Sequence, residues 1–171
     1  MKKFDFIQSK IFHFNNNDDR NKIAQTLSFL RFKEKKIIFT NGCFDIIHLG
    51  HIDYLSKAAD LGNHLIIGLN SDISIKKIKG NNRPILPAQT RAAIIASLFF
   101  AQTIILFDDE TPFELIKFIQ PTILVKGSDY KPEDIVGYDI VSKNGGEIMT
   151  IDFLEGHSTT SIIQKIKTII Y

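Results

Sequence analysis

Five short apolar runs punctuate the chain from residue 37 onward: Ile37-Ile38-Phe39, Leu65-Ile66-Ile67-Gly68-Leu69, Ile104-Ile105-Leu106-Phe107, Ile123-Leu124-Val125 and Ile148 to Ile151. Each is β-branched, brief and closed by polar residues or glycine, which predicts a buried strand. Between the runs the apolar positions recur at helical spacing. Ile52, Leu55 and Ala59 do so before Gly62; Ile73 to Ile78 reads as a short helix, and Pro87 opens one through about Phe100. Further helices are expected from Thr111-Pro112 to before Pro121, near Tyr138–Ser142, and from Ser158 onward, with Ile162, Ile163, Ile166, Ile169 and Ile170 on one face. Strand and helix in alternation predict an α/β domain: one five-stranded parallel sheet covered by helices on both faces.

The first 35 residues stand apart from this rhythm. Residues 1–17 are mixed and end in Asn15-Asn16-Asn17, which reads as a loosely held arm. Asp18-Asp19 can then cap an amphipathic helix carrying Ile23, Leu27 and Leu30, whose stripe packs either on the core or on a second subunit. The expected division is therefore an N-terminal arm and helix over 1–35 and the functional domain over 36–171. Four polar clusters, 40–51, 70–83, 126–130 and 152–160, each follow a strand. Ligands of parallel sheets bind beyond the carboxyl ends of the strands, so these clusters are expected to share one mouth.

Composition narrows the function. The chain has 171 residues, 44% hydrophobic and 23% charged, with a net charge of +2, so no nucleic-acid partner is implied. Cys43 is the single cysteine, which excludes an intrachain disulfide and fits a reducing compartment. Residues 4–14 are too polar for a signal peptide, and the longest uncharged run, Ala92 to Phe107, is too short for a membrane span. A cytoplasmic protein is expected. Neither the P-loop nor the dinucleotide-binding glycine signature occurs.

The most informative stretch is Thr40-Asn41-Gly42-Cys43-Phe44-Asp45-Ile46-Ile47-His48-Leu49-Gly50-His51. It reads as strand, tight turn and helix start, with unpaired amides and a positive dipole end that suit an anion. His48 and His51 are three apart, so both can lie near one face of the first helical turn. Asn-Gly-Cys-Phe-Asp followed by His-Leu-Gly-His closely resembles the HxGH nucleotidyltransferases of the cytidylyltransferase-like branch. Within that branch it looks like the adenylyltransferase domain that makes ADP-heptose. The resemblance covers about Lys36 to Ile170 and implies a single Rossmann-like domain of the HxGH type.

That resemblance also implies roles. His48 and His51 would donate to the α- and β-phosphate region, and Gly50 between them would let the nucleotide approach the backbone. Gly42, Cys43 and Phe44 would line the nucleotide through their backbone, without Cys43 acting as a nucleophile. Lys79 and Arg91 would lie near phosphates, Lys79 on a mobile loop. Lys126-Gly127-Ser128-Asp129-Tyr130 resembles a Lys-Gly-Gly-Asp-Tyr segment beside the base and ribose, with Lys126, Gly127 and Asp129 as contacts and Ser128 as a departure from the pattern. Ser158, Thr159 and Thr160 would meet the triphosphate, although their pattern alone is equally that of an N-cap. Relatives that use cytidine nucleotides often carry an arginine where this chain has Phe153, as the heptose branch does. Asn70, Asp72 and Arg83 are candidates for the sugar phosphate or plain surface residues, and Asp45 reads as structural. A zinc site from Cys43, His48, His51 and His64 matches no common spacing, and no protein metal site is expected.

The reaction implied is transfer of AMP from ATP to D-glycero-β-D-manno-heptose 1-phosphate, giving ADP-heptose and pyrophosphate for lipopolysaccharide core or another surface glycan. Mg²⁺ is expected, carried mainly by the ATP phosphates. Implied partners are these substrates, a separate upstream sugar kinase and a second subunit in a homodimer. A cytidylyltransferase acting on glycerol 3-phosphate, and a nucleotide-binding module without turnover, are the rival readings.

Overall fold

The computed structural model describes residues 2–170 and shows one parallel sheet between two layers of helices. The elements in chain order are α1 (Lys3–Gln8), β1 (Ile11–His13), α2 (Asn17–Phe32), β2 (Ile37–Gly42), α3 (Leu49–Asp60), β3 (His64–Asn70), α4 (Asp72–Lys79) and α5 (Ala88–Ala96). They continue with β4 (Thr103–Phe107), α6 (Phe113–Ile119), β5 (Ile123–Gly127), α7 (Tyr138–Lys143), β6 (Glu147–Ile151) and α8 (Thr159–Ile170). The sheet has six strands rather than the expected five, in the order β1-β4-β3-β2-β5-β6, all parallel.

The additional strand comes from the segment read as a loose arm. Ile11–His13 lies beside Ile104–Leu106, and Phe14 N–H donates to the Leu106 carbonyl at 2.9 Å. The Lys10 ammonium donates to the Ala96 carbonyl at 2.9 Å, fastening the segment to the end of α5. Three residues carry no period of their own, so this strand is defined only by the partner it pairs with. The helix that follows is capped by Asn16, whose side chain accepts from Asp19 N–H, while the Asp19 carboxylate accepts from His13 N–H. Asp18-Asp19 therefore lies inside the first turn instead of before it.

Successive strand residues point to opposite faces, and in β2 to β5 both faces are buried, which is why these strands read as unbroken apolar runs. Strand β6, expected to be buried, is a half-exposed edge strand, with Glu147, Met149 and Thr150 exposed. Ile38, Leu65, Ile67, Ile104 and Val125 pack with Leu55 and Ala58 of α3 and Ala92 and Ile95 of α5. Phe39, Ile66, Ile105 and Leu124 pack on the other side with Ile23 and Leu27 of α2 and Leu115, Ile116 and Ile119 of α6. The apolar stripe of α2 is thus buried within the chain and is not offered to a second subunit. Helix α5 stops at Ala96, short of the expected Phe100. Helix α8 buries little, with Ile166 and Ile169 exposed; the side chain of Ile170 lies outside the described residues. No helix among the described residues is long and apolar enough to cross a membrane.

Strand order reverses between β2 and β5: the chain runs outward through β3 and β4, then returns to the other side of β2. The crevice at the carboxyl ends of β2 and β5 is where a ligand site belongs in such a sheet.

Candidate active site

The turn leaving β2 shapes this crevice. Phe44 (φ 44°) and Ile46 (φ 51°) both adopt left-handed backbone, which is costly for a β-branched residue. The turn keeps that shape because its neighbours hold it at several points. The Asp45 carboxylate accepts from the Ile85 amide at 2.8 Å, the Leu86 amide at 3.0 Å and Arg83 at 3.1 Å. Burial pushes this carboxyl up, but those donors outweigh it and leave its pKa below the ordinary value. The Asp45 carbonyl accepts the Thr159 hydroxyl at 2.7 Å, and the Cys43 carbonyl accepts Arg91 at 2.6 Å. Asp45 is a structural anchor for the 83–86 loop.

Helix α3 starts immediately after, with no side chain capping its N terminus. The His48 and His51 rings stack with centroids 3.7 Å apart and an interplanar angle of 21°, and Phe44 meets His51 edge-on at 5.3 Å. The Nδ1 atoms of both histidines are buried without a hydrogen-bond partner. Burial, then His48 and Lys79, push the His51 pKa down to about 4; burial and then His157 lower that of His48. Both rings are therefore neutral at pH 7, and each presents unpaired polar atoms at a helix N terminus. A bound polyanion would relieve both conditions, by accepting hydrogen bonds and by favouring the protonated imidazole. Lys79, at the end of α4, reaches this region, and it opposes the upward shift that burial gives the Cys43 thiol.

The opposite wall comes from the end of the chain. A Cβ added at Gly50 would stand 3.1 Å from the His157 carbonyl, so the glycine admits the 155–158 loop as well as any ligand. Ser158 Oγ accepts from Ser161 N–H and caps α8, Thr159 is committed to Asp45, and Thr160 lines the crevice with no side-chain hydrogen bond. Lys126 donates to the Asn41 side chain across the switch point, joining β5 to β2, and burial lowers its pKa to about 8 against the pull of Asp129. A Cβ at Gly127 would enter the ring of Phe153, which stacks near Tyr54, so the glycine lets that ring lie over the strand end. Phe153 (55% exposed) and Tyr130 (50% exposed) offer aromatic faces to the crevice beside Lys126 and Asp129.

These groups line one cleft of about 880 Å³, large enough for a nucleotide and an acceptor. It gathers Gly42, Cys43, Phe44, His48, Gly50, His51, Asn70, Lys79, Arg83, Lys126, Gly127, Asp129, Ser158, Thr159 and Thr160. Two candidates are placed elsewhere. Arg91 is 0% exposed, and its guanidinium donates to the carbonyls of Leu86, Cys43 and Asn70 and to the Asp72 carboxylate. It is a clamp behind the cleft, not a phosphate ligand, and Asp72 is turned toward it. Asn70 reaches the cleft but its amide is engaged by Ser74 Oγ at 2.9 Å. His64 sits at the start of β3, away from His48 and His51, and bonds Thr103. Among the described residues no group of three or more His, Cys, Asp or Glu is arranged to hold a metal ion.

Asn41 and His157 also line the cleft, within clusters expected at the mouth but without a role of their own, while Glu110-Thr111-Pro112 and Asp134-Ile135-Val136 line it from segments that the sequence did not single out for the site. The 110–112 segment follows β4, so the rule that ligands sit beyond strand ends would have found it.

A family model described as cytidylyltransferase-like matches residues 39–165, most of the chain and the entire cleft framework from β2 to α8. The chain belongs to the cytidylyltransferase-like family. It is similar to the bifunctional protein HldE of Campylobacter jejuni subsp. doylei, 52% identical over 167 residues, covering 96% of this chain and 34% of that protein. The bifunctional protein HldE of Nitratiruptor sp. is 50% identical over 139 residues, covering 81% of this chain and 29% of that protein. The chain thus spans about a third of the length of these curated relatives. Among solved structures, a lipopolysaccharide core biosynthesis protein from Thermoplasma volcanium superposes with a TM-score of 0.57 at 25% identity, covering 72% of this chain and 99% of that one. A pantoate-beta-alanine ligase from Francisella tularensis gives a TM-score of 0.58 at 14% identity, covering 94% of this chain and 78% of that one; it shares the fold.

Proposed function

We propose that this chain transfers AMP from ATP to D-glycero-β-D-manno-heptose 1-phosphate, releasing pyrophosphate and forming ADP-heptose for a lipopolysaccharide core or related surface glycan. The observation that carries the reading is the stacked, neutral His48–His51 pair at the uncapped start of α3, facing the start of α8 across the switch-point cleft. Membership of a nucleotidyltransferase-type family and the similarity to a lipopolysaccharide core biosynthesis protein support it. For the nucleotide, the Thr-Asn-Gly-Cys-Phe-Asp wording and an uncharged aromatic at Phe153 favour ATP.

In this reaction an oxygen of the acceptor phosphate bonds to the α-phosphorus of ATP. The bond from that phosphorus to the bridging oxygen breaks, and pyrophosphate leaves with the electron pair. The attacking phosphate has a second pKa of about 6, so it is already anionic and needs no general base. What the protein supplies is alignment and donors where charge accumulates. His48 and His51 hold N–H groups at the α-phosphate, and Lys79 brings a cation from α4. Thr160 and the first amides of α8 receive the leaving end. Mg²⁺ enters with ATP as part of the substrate. The acceptor arrives already phosphorylated, so a sugar kinase acts upstream, and the assembly we favour is a homodimer.

The test is pyrophosphate release with Mg²⁺, crossing ATP and CTP against heptose 1-phosphate and glycerol 3-phosphate. Turnover only with ATP and the heptose, lowered about 100- to 1000-fold in His48→Ala, is the expected result. Preference for CTP would replace the substrates and keep the mechanism; no release with any pair would overturn the proposal.

A further inference from the structure

His157 lies in the 152–160 cluster but carried no role of its own in the sequence, and the fold places it on the cleft wall beside the motif histidines. Its carbonyl and Cβ lie 3.1 and 3.2 Å from where a Cβ on Gly50 would stand, so its backbone rests on the glycine between the two motif histidines. Its ring is exposed and lines the cleft, and among the described residues it has no side-chain hydrogen bond or ion pair. It is close enough to His48 to be one of the two causes that lower the pKa of that ring. Immediately after it comes the 12-residue helix α8, whose first turn offers the unengaged Thr160 hydroxyl.

The neighbours of His157 along the chain hold the wall together. Thr159 ties α8 to the turn at Asp45, Ser158 caps the helix, and Gly156 (φ 78°) turns the chain so that His157 reaches Gly50. With nothing bound, protonating any one of these three neighbouring imidazoles makes protonating the next harder. The same arrangement becomes favourable around a ligand carrying several negative charges, where an imidazole gives a charge-assisted hydrogen bond.

We propose that His157 is a third phosphate-binding imidazole, holding the part of the triphosphate that leaves as pyrophosphate while His48 and His51 face the α-phosphate. The assignment rests on the nucleotidyltransferase reading above. A triphosphate laid from the His48–His51 pair toward the start of α8 passes His157 with its β- and γ-phosphates, and the nucleoside end lies toward Tyr130 and Phe153. His157 acts by binding this end of the nucleotide and takes no proton from the acceptor.

The experiment is calorimetric titration of the full chain with Mg²⁺-pyrophosphate, Mg²⁺-ATP and AMP, comparing wild type, His157→Ala and His157→Gln. An exposed side chain with no partners leaves the thermal midpoint unchanged when it is removed. The expected result is a loss of about five- to twentyfold in affinity for pyrophosphate and ATP in His157→Ala, with AMP binding unaltered. His157→Gln, which keeps a donor at similar reach, should recover most of it. Equal pyrophosphate affinity in wild type and His157→Ala would overturn the assignment, as would an equal loss for AMP, which would place His157 at the nucleoside end. A wild-type chain that binds neither ATP nor pyrophosphate would instead bring down the adenylyltransferase reading and this inference with it.

Discussion

Replacing Arg91 by alanine should damage the fold first and the chemistry only through it. The guanidinium donates to three backbone carbonyls, Leu86 at 2.9 Å, Cys43 at 2.6 Å and Asn70 at 2.9 Å, and to the Asp72 carboxylate at 2.7 Å. These acceptors belong to the 80–87 loop, the turn after β2, the end of β3 and the start of α4, so one side chain joins four pieces of the cleft wall. Truncation leaves buried acceptors unpaired and opens a cavity in place of a fully buried side chain. Breaking a buried charged pair from one side costs about 3–5 kcal/mol. Asp72 is 38% exposed in its side chain and can rehydrate, which favours the lower end of that range. Against a total stability of about 5–15 kcal/mol, the variant remains folded but loses much of its margin. For a chain of this size the expected fall in melting temperature is about 6–20 °C. Arg91→Lys keeps the charge but not the planar fork and should fall between wild type and alanine. Urea unfolding followed by circular dichroism gives the stability, and Mg²⁺-ATP titration gives binding on the same samples. A stability loss below about 1 kcal/mol together with a large loss of ATP affinity would refute the clamp, because it would mean the guanidinium reaches the ligand.

Other consequences are open to measurement. His51 titrates near 4 in the fold and near 6.5 in the unfolded chain, so between these values the unfolded state binds more protons. Its contribution is therefore complete above about pH 6.5 and is lost as pH falls through 4, by about 3 to 3.5 kcal/mol in all; His51→Gln should flatten that part of the stability–pH curve, and an unchanged slope would contradict it. Removing a donor that faces developing charge lowers kcat about 100- to 1000-fold, so His48→Ala should lose that much in pyrophosphate release with little change in melting temperature. Gly127→Ala drives a methyl group into the Phe153 ring, which is half-exposed and able to move. The fold should lose only about 1 kcal/mol while KM for ATP rises several-fold; an unaltered KM would show that Phe153 is not part of the nucleotide pocket.

Much of this architecture is local and so could be read along the chain. The runs at 37–39, 65–69, 104–107 and 123–125 are apolar because each is buried on both faces, and a two-face signal needs no knowledge of partners; the run at 148–151 is the half-exposed edge strand β6. The spacing of His48 and His51 puts both at the start of one helix, while their stacking depends on the extended backbone of His48, which stands just ahead of α3. Asp45 reads as structural from its place in the turn, yet the donors that give it that role, Arg83, Ile85 and Leu86, come from a distant loop. The exceptions all involve residues whose meaning comes from distant chain. Ile11–His13 is a strand only because Ile104–Leu106 lies beside it. Arg91 resembles any cation near the start of a helix until Asp72 and three carbonyls converge on it, and a cation so enclosed has no charge left for a phosphate. His157 gained its place through Gly50, because the absence of a side chain there lets the C-terminal loop close over the start of α3. Sequence alone determined the strands and helices from residue 18 onward, to within a few residues at their ends, and the motif at their junction, because periodicity and turn chemistry act over a few residues. Tertiary structure decided which charged groups face the cleft and which are consumed behind it, because burial and hydrogen-bond partners depend on segments that meet only after the chain has folded.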